Sequence, residues 1–469
     1  MDIKRVYFVG IGGIGMSAIA RHYIKCGVEV AGYDRTRSRL TDELTAEGAA
    51  VSYVDDVQQA IPDAFRKADE TLVVYTPAVP QTSAVMQYFA EKNYTMCKRA
   101  EALGQLTSTG KTLCVAGTHG KTTTSTLTAH ILRRSEAGCT AFLGGISVNY
   151  ATNYWHNADS QNMVTEADEY DRSFLKLSPW AAAITAMDAD HLDIYGTHAK
   201  LIEAFLQFAA LVRRGGLLVV RRGLPIGRED VQEGVRIVSY AASDCSADYY
   251  AENIRVADGR YIFDAVTPSE TIKNITLGLP GRHNIENCMA AIALAQEAGA
   301  TADEIREACS DFAGSKRRFE IAGRGQDVIV VDDYAHHPQE IRATLSSVRE
   351  MYPKAMVAVA FQPHLYSRTR DLADDFAMAL SKADRLWLLP IYPAREEPIA
   401  GVSSEMIAKK IADGAEVSVL KDKTLLPETM TEFAEQRSGQ LVLVIMGAGN
   451  IDRLVEPTCQ ALRAKNILS

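Results

Sequence analysis

Short apolar and β-branched runs alternate with segments of helical periodicity through the first hundred residues. Strands are predicted at residues 5–10, 28–33 and 71–75, and residues 16–26 between the first two have the period of a helix. This alternation is typical of a parallel sheet with crossover helices. A polar stretch at residues 105–111 interrupts it, and we expect the first domain to end there.

The same alternation resumes twice further along the chain, on either side of a charged segment at residues 314–320. The predicted strands are residues 112–116, 181–185, 217–220, 328–331, 356–361, 385–389 and 441–446, with helix-length segments such as 338–351 between them. A chain of 469 residues suits about three domains of roughly 150 residues each. We therefore predict an α/β protein with domains over residues 1–107, 108–318 and 319–469.

Composition narrows the possible partners and the compartment. The 59 acidic residues outnumber the 50 Lys and Arg, and no basic block compensates locally, which argues against nucleic acid as a partner. The start of the chain is polar and then broken by glycines, unlike a signal peptide, and the strongest apolar runs are far shorter than the ~20 residues of a membrane span. The 8 cysteines are scattered without metal-ligand spacing, as expected of reduced thiols in a cytoplasmic enzyme.

A first glycine-rich motif, GIGGIG at residues 10–15, follows the first predicted strand and opens a helix. Glycines there let the backbone approach a diphosphate at a helix N-terminus, and an acidic residue about 20 positions on can hold a ribose hydroxyl. Asp34 stands at the end of the next predicted strand. The motif therefore predicts nucleotide binding without fixing which nucleotide. The candidate residues are Gly12, Gly13, Ile14, Gly15 and Asp34.

A second motif, GTHGKTTT at residues 117–124, also lies between a predicted strand and a predicted helix. It departs from the general phosphate-loop pattern, because Val115 stands where a glycine is required. Its backbone N–H groups can still wrap phosphates, with Lys121 reaching the β- and γ-phosphates and the Thr122 hydroxyl binding magnesium. The candidate residues are Gly117, Thr118, His119, Gly120, Lys121, Thr122 and Thr123.

This shortened phosphate loop resembles that of the Mur ligase family, and further motifs in the same order extend the resemblance over essentially the whole chain. They are EADEYD at 166–171, DADHLDIYG at 188–196, GRHNIEN at 281–287, SKRRFE at 315–320, DDYAHHP at 332–338, FQPHLYSRTRD at 361–371 and GAGNID at 447–452. Their spacing is similar to that of the family member that adds L-alanine.

The resemblance implies three domains: an N-terminal Rossmann-like domain, a central P-loop ATPase-like domain with a mostly parallel sheet, and a C-terminal Rossmann-like domain. It also implies an ATP- and Mg²⁺-dependent amide ligase that joins L-alanine to UDP-N-acetylmuramate in peptidoglycan precursor synthesis. The N-terminal domain would bind the UDP-sugar, with Thr76 in a candidate loop after the strand at 71–75. We expect a monomer or a weak homodimer.

In the central domain, Glu166 and His191 follow or end predicted strands and could converge on the γ-phosphate side, where the family implies magnesium. Either residue alone would more often be solvated or structural, but Lys121 and Thr122 favour the functional role. Asn284 and Asn287 share one face of a predicted helix at residues 285–298. One of them could be a simple N-cap, whereas the resemblance implies that both contact ATP.

Around and beyond the second boundary, the resemblance implies that Arg318 contacts phosphate and Asp333 the ATP ribose; without it, a salt bridge or solvated charges fit equally well. His336, His364 and Arg368 sit on loops after C-terminal strands, the side on which open α/β sheets bind ligands. The family implies that His364 and Arg368 contact substrate carboxylates. Leu365 departs from the arginine that many relatives carry, so either Arg368 carries more of this task or another residue substitutes.

Three alternatives stay open at this point. A recycling ligase that attaches a tripeptide to the same UDP-sugar belongs to the same family, although GIGGIGMSAIA at residues 10–20 is more similar to the alanine-adding enzyme. An NAD-dependent oxidoreductase would use the first glycine motif and leave the second unexplained. A phosphate-loop regulatory switch would give no role to the asparagine pair or to the histidines near the C-terminus.

Overall fold

The computed structural model describes residues 3–257, 259–394, 396–411 and 415–469. Its secondary structure is mixed α/β, with three separate sheets of five, ten and six strands. By their internal contacts the residues fall into two compact units. The first comprises residues 1–252, 264–275 and 286–312, and the second comprises 253–263, 276–285 and 313–469.

The first sheet is wholly parallel, in the order β3-β2-β1-β4-β5. Its strands are β1 (Arg5–Val9), β2 (Glu29–Tyr33), β3 (Ala50–Ser52), β4 (Thr71–Tyr75) and β5 (Thr95–Lys98). Its helices are α1 (Ile14–Lys25), α2 (Arg39–Ala46), α3 (Val57–Ala60), α4 (Ala84–Glu91) and α5 (Arg99–Thr107). The central strand β1 has both neighbours parallel, so the loops after β1, β2 and β4 meet at one edge, where such sheets bind ligands.

The second sheet has ten strands in the order β15-β14-β13-β12-β11-β10-β6-β9-β7-β8. The strands are β6 (Lys111–Ala116), β7 (Thr140–Phe142), β8 (Tyr154–Trp155), β9 (Asn162–Ala167), β10 (Ala181–Ile184), β11 (Leu217–Arg221), β12 (Arg236–Ala241), β13 (Tyr249–Ala257), β14 (Arg260–Val266) and β15 (Thr271–Leu277). The helices are α6 (Lys121–Arg133), α7 (Leu192–Tyr195), α8 (His198–Ala209), α9 (Arg282–Glu297) and α10 (Ala302–Asp311). Parallel strand β6 lies between β9 and β10, so the loops that follow these three strands share one edge.

The third sheet has the order β16-β17-β21-β18-β19-β20 and is parallel except for β16 at its edge. Its strands are β16 (Glu320–Arg324), β17 (Val328–Asp333), β18 (Met356–Phe361), β19 (Arg385–Leu388), β20 (Glu416–Val419) and β21 (Leu441–Met446). Its helices are α11 (Pro338–Met351), α12 (Tyr366–Asp371), α13 (Ala373–Leu380), α14 (Ser404–Ala408), α15 (Leu426–Glu435) and α16 (Val455–Ala464). Strand β21 is buried along its whole length, as its unbroken apolar sequence requires.

The predicted α/β class with mostly parallel sheets is confirmed, and each predicted strand corresponds to an observed one. Strands that are short or partly exposed were not predicted, and these include β3, β5, β7, β8, β12–β16 and β20. Strand β13, for example, is mostly exposed in its second half. Six of the eight cysteines are buried, and Cys26 and Cys245 are exposed. None of the helices in the described ranges is long and apolar enough to cross a membrane.

Candidate active site

The phosphate loop, residues 117–120, joins the end of β6 to the start of α6 and is shaped by two glycines. Gly117 and Gly120 have φ values of 137° and 83°, in the region that disfavours other residues. A Cβ atom on Gly117 would lie 2.1 Å from the Thr185 hydroxyl oxygen, and one on Gly120 would lie 2.6 Å from Oδ1 of Asn287. Both glycines are therefore needed for the loop to pass this close to its neighbours.

The residues after β10 hold this loop in place. The Thr118 N–H donates to the carbonyl of Ala186 over 3.1 Å, and the Thr118 hydroxyl accepts from the Asp188 N–H over 3.1 Å. The Thr185 hydroxyl contacts the backbone carbonyl of His119. The conformation of the loop is therefore fixed by the residues that follow β10.

Lys121, the first residue of α6, is held by two acceptors. Its Nζ donates to the Gly117 carbonyl over 2.6 Å and to Oε1 of Glu169 over 2.8 Å. Burial lowers the lysine pKa, but the carboxylates of Glu169 and Glu166 outweigh burial and raise it. Lys121 is therefore a fixed cation at the phosphate loop, as phosphate binding requires.

Glu169 is a site residue that the sequence analysis did not single out. Its side chain is fully buried, although it lies in the acidic motif EADEYD. Besides Lys121, its Oε1 lies 3.6 Å from Nε2 of His191. Its position three residues after Glu166 was the feature of the sequence that could have identified it. An acidic motif, however, does not show which of its carboxylates is buried in the folded protein.

Two of the three predicted metal ligands come together. The Thr122 hydroxyl donates to Oε2 of Glu166 over 2.9 Å, and the Glu166 carboxylate packs so tightly on Gly144 that a Cβ there would lie 2.0 Å from it. His191 instead lies beside Glu169. In the part of the chain that the structure describes, no three His, Cys, Asp or Glu side chains are grouped as a metal centre. A hydroxyl and a carboxylate nevertheless suit Mg²⁺, which prefers oxygen ligands and retains several waters.

The two predicted asparagines take different positions on α9, which begins three residues before the predicted start. Asn287 is buried with its side chain against Gly120 of the phosphate loop. Asn284 is also buried and donates from its side-chain amide to the Pro280 carbonyl over 2.5 Å. Asn287 is thus placed at the nucleotide loop, while the contact of Asn284 with ATP stays a prediction.

The predicted UDP-sugar residues meet at the carboxyl edge of the first sheet. Oδ2 of Asp34 accepts from the Gly12 N–H over 2.8 Å, and Oδ1 accepts from the Thr36 N–H over 3.0 Å. Gly13 caps α1, and the Thr76 methyl group packs against Gly10. Asp34 therefore holds the glycine loop with Oδ2 and the turn after its own strand with Oδ1, and its contact with a ribose stays a prediction.

Two further residues, which the sequence analysis did not predict, surround the start of α1. A Cβ on Gly15 would lie 2.9 Å from Nη1 of Arg99, and this guanidinium lies 3.6 Å from the Asp168 carboxylate. The Asn153 side-chain amide donates to the Ile14 carbonyl over 2.6 Å. Both contacts join the glycine loop to segments more than eighty residues away in sequence.

In the second unit, Arg318 packs on Tyr334, and Asp333 directly precedes Tyr334 in the chain. The Arg318 guanidinium lies over the Tyr334 ring, 5.1 Å from its centroid. Asp333 accepts from the Phe319 N–H over 2.8 Å and from the Ala335 N–H over 2.7 Å. Burial raises the pKa of Asp333 to about 6. Asp333 thus fixes the local backbone, and its role toward a ribose stays a prediction.

His336, His364 and Arg368 form a group in the same unit. The two imidazoles are 6.1 Å apart, and His364 stacks on Tyr392 at 5.7 Å. Burial, followed by the nearby charges of His336 and Arg368, lowers the pKa of His364 to about 4. Within the described ranges, His364 Nδ1 and Arg368 Nη1 are buried without a hydrogen-bond partner, so both are available to a ligand.

Family models match all three parts of the chain. The Mur ligase family catalytic domain matches residues 5–111, the Mur ligase middle domain residues 115–295, and the Mur ligase glutamate ligase domain residues 317–449. The chain belongs to the Mur ligase family.

Relatives within the family carry a more specific name. A UDP-N-acetylmuramate–L-alanine ligase of Phocaeicola vulgatus is 48% identical over 463 residues, covering 99% of both chains. One of Parabacteroides distasonis is 47% identical over 466 residues, covering 98% of each chain. Both alignments therefore include all three sheets of the fold.

Solved structures agree with this similarity. The UDP-N-acetylmuramate–alanine ligase of Thermotoga maritima superposes with a TM-score of 0.81 at 26% identity, covering 98% of this chain and 99% of that one. A murein peptide ligase of Psychrobacter arcticus superposes with a TM-score of 0.67 at 23% identity, covering 98% of both chains. At this level of identity, the similarity to the murein peptide ligase shows only that the two proteins share a fold.

Proposed function

We propose that the protein is an ATP-dependent ligase that joins L-alanine to the lactoyl carboxylate of UDP-N-acetylmuramate. The observation that carries this proposal is the convergence of Lys121, Thr122 and Glu166 on the phosphate loop. Phosphoryl transfer to a carboxylate requires a fixed cation and oxygen ligands at one place. The names of the relatives supply the two substrates.

The loop is suited to a nucleoside triphosphate in Mg²⁺-bound form. Gly117 and Gly120 let the loop pack closely on Thr185 and Asn287, and backbone N–H groups at the start of α6 can then face phosphate oxygens. Thr122 and Glu166 would hold the magnesium ion, which neutralises phosphate charge when bound. Asn287 borders the same loop.

The reaction follows from the need to activate a carboxylate. One lactoyl carboxylate oxygen attacks the γ-phosphorus of ATP, the bond to the β–γ bridging oxygen breaks, and an acyl phosphate and ADP result. The neutral amine of L-alanine then attacks the acyl carbon, the tetrahedral intermediate collapses with loss of phosphate, and the amine proton passes to solvent or phosphate. Lys121 stabilises charge in the first step.

The alanine carboxylate is assigned to the second unit. Arg368 offers a permanently charged fork, with a buried Nη1 that has no partner in the described residues. His364 is neutral near pH 7 because its pKa is about 4, so it serves as a hydrogen-bond partner. Arg368 is then the cation that binds the alanine carboxylate, and His364 contributes a hydrogen bond.

The test is an assay of ADP and phosphate release with each substrate omitted in turn. We expect release only when UDP-N-acetylmuramate and L-alanine are both present, and much weaker release with glycine, serine or the tripeptide of a recycling ligase. Lys121→Ala should reduce kcat by a factor equivalent to about 3 kcal/mol, and the exposed Lys200→Ala is the control. Release without the UDP-sugar, or faster release with the tripeptide, would overturn the proposal.

A further inference from the structure

We propose that Glu169 is a positioning residue of the ligase, whose carboxylate holds Lys121 so that the lysine is aimed at the nucleotide phosphates. This role rests on the proposed function, because it presumes that Lys121 binds phosphate. Oε1 of Glu169 lies 2.8 Å from Nζ of Lys121 and 3.6 Å from Nε2 of His191.

The backbone around Glu169 is fixed by several bonds. Its carbonyl accepts from the Tyr195 hydroxyl over 2.6 Å and from the Arg172 N–H over 2.9 Å. Asp171 and Arg172 have φ values of 55° and 54°, so the chain turns sharply just after Glu169. The fully buried side chain therefore projects from a fixed point of the backbone.

The ammonium group of Lys121 has three N–H donors, of which the Gly117 carbonyl and Glu169 each accept one, so the third is left for a phosphate oxygen. The Gly117 carbonyl belongs to the phosphate loop itself. Glu169 lies outside that loop and can keep its contact. Glu169 thus gives Lys121 a constant second partner, and the charged pair sets the direction from which the ammonium group approaches.

The negative charge of Glu169 matters more than its shape. A buried lysine without an anion is costly, and a neutral amide in place of the carboxylate leaves the ammonium with only carbonyl acceptors. Glu169 does not need to touch substrate for this, so we do not place it among the catalytic residues.

The experiment compares Glu169→Gln, Glu169→Asp and Asp171→Asn. Binding of ATP alone is measured by calorimetry, so the result does not depend on any turnover. We expect Glu169→Gln to weaken ATP binding by about tenfold or more, and Glu169→Asp, which keeps the charge, by no more than about threefold. UDP-N-acetylmuramate binding should stay unchanged in both variants. Asp171→Asn is the matched control, because Asp171 is exposed on the same segment and asparagine tolerates its positive φ.

A double-mutant cycle with Lys121→Met separates positioning from a general structural role. If Glu169 acts through Lys121, Glu169→Gln should weaken ATP binding in the wild-type background and have little further effect beside Lys121→Met. Equal weakening in both backgrounds, or equal losses of ATP and UDP-sugar affinity, would overturn the proposal.

Should Glu169→Gln fail to fold, Glu169→Asp with normal ATP affinity supports the role of the charge, and a tenfold loss in that variant contradicts it. An absence of amino-acid-dependent ADP release in the wild type would overturn the proposed function and leave the binding result intact.

Discussion

The side-chain amide of Asn153 donates to the backbone carbonyl of Ile14 over 2.6 Å, across 139 positions of sequence. The same amide donates to the Ser17 hydroxyl over 3.0 Å, and the side-chain oxygen Oδ1 of Asn153 accepts from the buried guanidinium of Arg21. The first turn of α1, which follows the glycine loop, is therefore held by the loop before β8. Asn153 is therefore one of several side chains that link α1 and its surroundings to the region of the second sheet, beside contacts such as that of His22 with Tyr154.

Asn153→Ala should destabilise the protein by about 2–4 kcal/mol, because it leaves buried donors and acceptors unpaired. The measurement is equilibrium unfolding in urea, with the exposed Gln161→Ala as the control. We also expect UDP-N-acetylmuramate binding to weaken, since the glycine loop loses its support. A variant with wild-type stability would show that water or a neighbouring side chain replaces the amide.

Gly13→Ala tests whether the absence of a side chain at this position is needed for ligand binding or for the stability of the protein. Gly13 has an ordinary φ of −66°, and a Cβ there would meet its nearest neighbour at 3.7 Å, an ordinary contact. Stability should therefore be unchanged, while the UDP-sugar, whose diphosphate we place on this loop, should bind about tenfold or more weakly by calorimetry. ATP binding serves as the internal control. Unchanged UDP-sugar affinity, or tight NADH binding that the UDP-sugar fails to displace, would refute this use of the glycine loop.

Arg368→Lys should raise the apparent KM for L-alanine by about tenfold or more, equivalent to ~1.4 kcal/mol, because lysine keeps the charge but loses the bidentate fork. The matched control is Arg370→Lys on the same helix, where the arginine is exposed and pairs with Asp371 over 2.7 Å. The KM for ATP should barely move in either variant. Loss of ATP binding with a normal alanine KM would assign Arg368 to the nucleotide instead.

Asp332→Asn should stabilise the protein, and more so as the pH rises. Burial, only partly offset by Arg317, raises the Asp332 pKa from its usual 3.8 to about 7. The folded state therefore keeps the proton over a window in which the unfolded chain loses it, and stability falls as pH rises from about 4 to 7. Removing the charge should add on the order of 2–4 kcal/mol at pH 8 and less at pH 5.

Thermal unfolding at these two pH values checks this prediction. Asp327→Asn, just before the same strand and exposed, is the control and should show no such pH-dependent gain. A pH-independent effect of Asp332→Asn would mean that Asp332 is already ionised without cost in the folded protein.

The features that could be predicted from the sequence are those determined by residues close together along the chain. The strand Leu441–Met446 is an unbroken apolar run because both of its faces are buried, and the Gly-Lys-Thr order placed the phosphate loop. Glu169 was missed because its burial depends on residues such as Tyr195, which approach it only in the folded chain. Asn153 and Arg99 were missed for the same reason, since their partners are distant in sequence. The roles of the site residues toward ligands stay predictions, because contacts within the protein do not reveal which of them a substrate replaces.

The distribution of thiols makes the protein convenient for fluorescence work. Only Cys26 and Cys245 are exposed, and both belong to the first unit. Burial raises the pKa of Cys26, which reduces its reactive thiolate near neutral pH, so a maleimide dye should attach to Cys245 first. Once both are changed to serine, the six remaining cysteines are buried. A single new surface cysteine in the second unit could then carry a dye as an unambiguous optical reporter of that unit while the substrates bind.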